Sequence, residues 1–271
     1  MGQEQVLGVT KIVNALLGKA AAGLFALLHI RPANPRYPIP NFFAMELVVF
    51  LFAIVFFLWL KARISADRPG ATQQCMEMFL TNSMGVGVKD LLDDIAGHGT
   101  ERHIPLMGAI GMFILLSNLA ALVPGFMSPT AEVTVPLGCA VVVFLYYNWF
   151  GFGKHGALGY AKTLMGPVIF IAPIMVVVET FSHFARMLSL TVRLWANMMV
   201  SELIYVSFLG LSITFFSFLG HLNPAGYLSV VVPVGVPLAL SLFHIFEAVL
   251  QAFIFTILAI VYLGLATAEE H

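Results

Sequence analysis

The sequence predicts an all-α, polytopic integral membrane protein, and three observations carry that reading. Of its 271 residues 60% are hydrophobic and only 10% charged, whereas about a quarter of a soluble domain is charged. Mean hydropathy is +0.94. Apolar runs of membrane-spanning length recur, and the first stops at Lys61 and Arg63, as spans do at a cytoplasmic face. Two further apolar stretches, 168–219 and 228–266, are much longer than one perpendicular crossing. The net charge of −1 supplies no basic face for nucleic acid. Cys75 and Cys139 form no CxxC and have no ligand-like spacing to histidine, so neither a disulfide framework nor a metal centre is indicated.

Residues 1–30 place Lys11 and Lys19 around a short apolar run, AAAGLFALLHI, which suits a helix lying in the interface better than a span. A secretory leader would need a clear apolar core and a small-residue cleavage site, which HIRPANPRYPIP does not supply. The prolines of RPANPRYPIP predict an extended connection, so 1–40 reads as an N-terminal extracytoplasmic segment.

The first clear span is 41–60, interrupted only by Glu46 and closed by Lys61 and Arg63. Residues 64–103 are polar with scattered apolar positions, the pattern of a helix on the membrane surface. The second span is 104–123, followed by PGFMSPTAEVTVP, a turn-rich loop without Lys or Arg. The third is 136–150, followed by a loop holding Lys154 and Lys162. Loops 61–103 and 151–166 are thereby cytoplasmic and loops 124–135 and 221–227 external, although Arg31 and Arg36 run against this assignment. As single helices, 168–219 and 228–266 would be roughly 78 and 58 Å long against a hydrocarbon core of ~30 Å. They must tilt steeply or break, and Pro173, Pro233, Pro237, Gly210 and Gly235 are available break points. No internal repeat relates the two halves, which weakens an inverted-repeat transporter.

The chemistry concentrates in 179–202, ETFSHFARMLSLTVRLWANMMVSE. A charge at the bilayer centre costs from ~2.5 to over ~10 kcal/mol, so Arg193, among Leu, Val, Trp and Met, requires a partner or a wet cavity. Turned by about 100° per residue, Glu179, Ser182, His183, Arg186, Ser189, Arg193, Asn197 and Ser201 share one face. Glu202 lies about 140° from Glu179, so polar groups point in two directions. One lone arginine would suit a structural ion pair, whereas a stripe of ionisable groups points to function.

In the second long stretch Ser241, His244, Glu247 and Gln251 follow spacings of three, three and four, which place them on one face. Such a face can pass protons or ordered water. The alternative is interhelical polar glue at ~0.6–2 kcal/mol per bond, and a single Asn118 in FILLSNLAAL suits that role well.

SLTVRLWANMMVSELI, FHIFEAVLQAFIFTILAIVYL and the ending LATAEEH resemble subunit a of the F-type ATP synthases, with weaker agreement in VKDLL and PLMGAIGMFILLSNLAALVP. The likeness covers most of 41–271, which the resemblance makes a membrane proton-channel domain. It implies three roughly perpendicular spans, then two long, strongly tilted helices packed as a hairpin. It also implies a non-catalytic stator subunit in a bacterial inner membrane, C-terminus cytoplasmic, that carries protons through two offset half-channels. Its partners would be a c-subunit ring, the b-subunit peripheral stalk, other ATP synthase subunits and the bilayer, with no cofactor, metal or nucleic acid. By resemblance, Arg193 faces the ring carboxylate. Asn197, Glu202, His244, Glu247 and Gln251 line the inlet, with Asn118 near it, and Glu179, Ser182, Arg186 and Ser189 lie toward the exit. Some family members carry an acid shortly after that asparagine, where Ala121 stands here. The competing class is a stand-alone proton-coupled secondary transporter, which would be active as a purified chain.

Overall fold

The computed structural model describes residues 7–27, 29, 34, 36–65, 69–81, 87–96, 101–123, 126–165, 172–219 and 231–267. Their regular structure is entirely helical: α1 (Gly8–Leu27), α2 (Asn41–Arg63), α3 (Ala71–Leu80), α4 (Val88–Ala96), α5 (Ile104–Ala120), α6 (Thr134–Met165), α7 (Ala172–Leu219) and α8 (Val231–Thr267). Six stretches among the described residues are long and apolar enough to cross a membrane, in α1, α2, α5, α6, α7 and α8. The chain is a polytopic helical membrane protein.

The chain divides into two compact units. One comprises Met1–Ala53, Leu115–Glu132 and Ala196–Leu250, the other Ile54–Ile114, Val133–Trp195 and Gln251–His271. In the first unit, Asn14 on α1 grips the backbone of Ile39 twice, its Nδ2 donating to the carbonyl at 3.0 Å and its Oδ1 accepting from the N–H at 3.0 Å. Val13, Ile39 and Ala44 pack beside that clamp. The segment expected to be interfacial is therefore a twenty-residue helix whose apolar window reaches spanning length, because its two lysines are too few to interrupt it. At the proline-rich connection, the Tyr37 N–H reaches the Asn34 carbonyl at 3.2 Å, so its described part is a turn rather than an extended strand. Arg31 and the 221–227 loop lie outside the described residues.

In the second unit the polar segment after α2 forms two short helices, α3 and α4, rather than one surface helix. Gln73 anchors α3 by accepting from the Ser65 N–H (3.1 Å) and donating to the Ser65 carbonyl (3.2 Å) and Glu77 (2.7 Å). The third apolar run extends well past residue 150, to Met165, with one break at Gly156, whose φ of 69° favours a residue without a Cβ. Beyond it the chain folds back, so that the Tyr160 hydroxyl donates to Asn148 Oδ1 at 2.9 Å. Along an unbroken helix, twelve residues would separate those two by ~18 Å.

Neither long helix breaks at its candidate kinks: α7 runs for 48 residues through Gly210, and α8 for 37 through Gly235 and Pro237. Their packing differs sharply. Half of the most apolar window of α8 is buried, whereas only 11% of that of α7 is.

Candidate functional site

In the first unit, polar side chains from three helices meet a turn at 128–131. The last four carbonyls of any helix lack an intrahelical partner, and on α5 two of these belong to Ser117 and Asn118. The hydroxyl of Ser128 donates to the Ser117 carbonyl at 3.0 Å, and His244 Nε2 lies 3.2 Å from that of Asn118. A carbonyl can only accept, so in this contact Nε2 carries the hydrogen. In the neutral ring Nδ1 is then the acceptor, and Ser201 Oγ stands 2.8 Å from it. His244 is thus buried at 3% exposure with both ring nitrogens engaged, one toward α5 and one toward α7.

Thr130 Oγ1 donates to Asn118 Oδ1 and lies 2.7 Å from Ser128 Oγ. The Ser128 backbone N–H donates to Glu202 Oε2 at 3.3 Å. One connected set of bonds therefore holds Glu202, Ser128, Thr130, Asn118, His244 and Ser201. Beside it a cleft of about 290 Å³ is lined by Asn197, Ser201, Tyr205 and Glu247 together with apolar side chains. Ser117 Oγ, Asn118 Nδ2 and Glu247 Oε2 are buried without a hydrogen-bond partner among the described residues. Unsatisfied buried polar atoms are uncommon and costly, and such positions call for water or a proton.

In the second unit, Glu179 Oε1 receives Arg186 Nη2 at 3.2 Å and lies 3.7 Å from His183 Nε2. His183 Nδ1 is 3.0 Å from the Tyr147 hydroxyl. The two rings stack with planes 24° apart, and Arg186 lies over the Tyr262 ring at 5.8 Å. Ser182 is half-buried and Ser189 exposed, and neither bonds to this cluster among the described residues. Gln251 is buried at 1% exposure in this unit.

Arg193 is different. Leu190, Leu194 and Met198 point into the protein, whereas Arg193 is exposed on the flank of α7. No carboxylate pairs with it among the described residues.

Of the residues singled out in the sequence, the structure joins Asn118 with His244, and Glu179 with Arg186, by hydrogen bonds. It sets Asn197 and Glu247 along one cleft. Sequence reasoning passed over Ser128, Thr130 and Tyr147. The first two sit in a loop with no periodicity to mark them, and Tyr147 reads as one more aromatic in an apolar span. The only advance signal for Ser128 and Thr130 was a pair of hydroxyls around Pro129 in a stretch readable as turn residues, and Tyr147 had none.

Charged and hydrogen-bonding groups held within membrane-length helices define a polytopic membrane protein built around an internal polar apparatus. The family profile described as ATP synthase A chain matches residues 42–264. The chain belongs to that family. It is 37% identical over 265 residues to an ATP synthase subunit a from Koribacter versatilis, covering 98% of both chains. It is 36% identical over 254 residues to one from Solibacter usitatus, covering 94% of this chain and 96% of that one. It is also 32% identical over 225 residues to an ATP synthase subunit a 3 from Pelobacter propionicus, covering 83% of this chain and 86% of that one.

Proposed function

We propose that this chain is the proton-carrying stator subunit of a rotary ATP synthase in a bacterial cell membrane. It itself catalyses no covalent step and works against a ring of c subunits, held by a b-subunit stalk. The observation that carries the reading is Arg193: a guanidinium exposed on a 48-residue apolar helix, with no carboxylate of its own chain beside it among the described residues. In hydrocarbon such a charge needs a partner, and one on a second protein supplies it.

The mechanism follows from electrostatics. A protonated ring carboxylate tolerates lipid, whereas a bare one is prohibitively costly there. On reaching Arg193 the acid meets a fixed positive charge that favours its ionised form, so its proton leaves. Arginine holds its own proton too tightly to relay one, so it also keeps two half-channels from short-circuiting. Protons enter by way of Glu202, Asn197, Asn118, His244, Glu247 and Gln251, and leave past Glu179, Ser182, Arg186 and Ser189 toward the cytoplasm, where the C-terminus lies. Each elementary charge crossing 100 mV delivers about 2.3 kcal/mol to the rotation. At ~1.5 Å per residue α7 and α8 are roughly 72 and 56 Å long, so they fit a ~30 Å core by lying strongly tilted, as a hairpin along the ring.

Arg193→Ala in the assembled complex tests the proposal. Proton-driven ATP synthesis in inverted vesicles should be abolished, and synthesis at the wild-type rate would falsify the reading.

A further inference from the structure

The turn at 128–131 carries two hydroxyls that no surface loop needs. Ser128 and Thr130 are both fully buried, at 0% exposure, although loop residues ordinarily face water. A buried hydroxyl without a partner costs more than a bond returns, and these two are wholly committed. The Asn118 amide oxygen can only accept, so Thr130 spends its one hydrogen there. Thr130 Oγ1 is then left to accept from Ser128, whose hydrogen is shared with the Ser117 carbonyl. The direction of donation is thereby fixed, and it ends on an amide.

An amide oxygen does not pass a proton onward, so the pair is a clamp rather than a wire. It fixes which way the Asn118 side chain faces: Oδ1 toward the turn, Nδ2 buried on the other side with no partner among the described residues. The same turn holds the Glu202 carboxylate through the Ser128 backbone N–H. The backbone carbonyl of Asn118 in turn holds His244.

We propose that Ser128 and Thr130 are positioning residues of the proton inlet, a buried hydroxyl clamp in a turn that orients the Asn118 amide and holds the Glu202 carboxylate. The assignment rests on the reading of the chain as the proton-carrying subunit. Thr130→Val keeps the shape and removes the hydroxyl, and Thr130→Ser restores it. Both are to be compared in assembled complexes in inverted vesicles, with passive proton flow recorded against pH and normalised to the amount of complex present. Thr130→Val should slow the flow about five-fold or more, the equivalent of one buried hydrogen bond, and displace its pH profile. Thr130→Ser should return both toward wild type.

Wild-type flow with an unmoved profile in Thr130→Val overturns the assignment. So does a Thr130→Ser complex as impaired as Thr130→Val, which would make the methyl group and not the hydroxyl responsible. Arg193→Ala in the same vesicles separates the two levels. If it stops synthesis while Thr130→Val behaves as wild type, the clamp alone is wrong. If it too leaves synthesis intact, the functional reading on which the clamp depends has failed with it.

Discussion

Glu179 and Arg186 stand about two turns apart on α7 and meet at 3.2 Å, while Arg193, a further seven residues on, has no carboxylate beside it among the described residues. One arginine of this helix is thus neutralised within the chain and the other has no such carboxylate among the described residues. The contrast gives the two residues different expected sensitivities.

Removing one half of the Glu179 and Arg186 pair strands the other. With side-chain exposures of 33% and 25%, the loss should be roughly 1–3 kcal/mol, below the ~3–5 of a fully buried pair. Glu179→Gln should therefore lower the amount of assembled complex more than the double variant Glu179→Gln, Arg186→Gln does. A double-variant loss equal to the sum of the losses in Glu179→Gln and Arg186→Gln alone would show that the pair is not coupled; quantitative blotting of membranes reads this.

Glu247 has one carboxylate oxygen buried without a partner among the described residues, beside the cleft that Asn197 and Ser201 line. Glu247→Gln preserves volume and removes the carboxylate. Passive proton flow through the assembled complex should then change its dependence on pH, measured by dye quenching over a pH series. A profile superimposable on wild type would remove Glu247 from the inlet.

Two glycines of the second unit predict opposite responses. A Cβ on Gly264 would sit 2.9 Å from the Ile95 carbonyl oxygen and 3.0 Å from its Cγ2, and a backbone atom cannot rotate away. Gly264→Val should cost about 1–3 kcal/mol and lower the thermal midpoint in detergent. Gly153 has nothing within 4 Å of its Cβ position, so Gly153→Ala in the same helical unit should be neutral or slightly stabilising.

Alkaline pH should loosen the region after Gly156. Burial raises the Tyr160 phenol above its usual 10.0, with Arg186 opposing and Glu179 reinforcing the shift. A group whose folded value is raised contributes fully below its unfolded value and loses that contribution as pH climbs through the folded one, so the window opens above about pH 10. Tyr160→Phe gives up the bond to Asn148 but also this titration. Its thermal midpoint should be lower than wild type at neutral pH and decline less steeply above about pH 10. Parallel slopes would show that Tyr160 does not titrate in that window.

Hydropathy alone located the helices at 41–63, 104–120 and the start of 134–165, because an apolar run of spanning length closed by basic or turn-forming residues has few other uses. It understated the first helix, where Asn14 clamps Ile39 across 25 residues, a contact no local window contains. It left open whether α7 and α8 tilt or break, since a glycine or proline permits a kink without compelling one. Periodicity put Ser241, His244, Glu247 and Gln251 on one face, and the structure engages His244 and Glu247 differently, the former in two bonds and the latter at a cleft. What no spacing rule could supply was Ser128, Thr130 and Tyr147, whose partners lie on other helices and whose own neighbours in sequence are ordinary.

The sparse packing of α7 bears on what this chain asks of its surroundings. With 11% of its most apolar window covered, the helix leaves that face to lipid, which is as apolar as the side chains it meets. The guanidinium on the same open flank is a charge that lipid cannot satisfy.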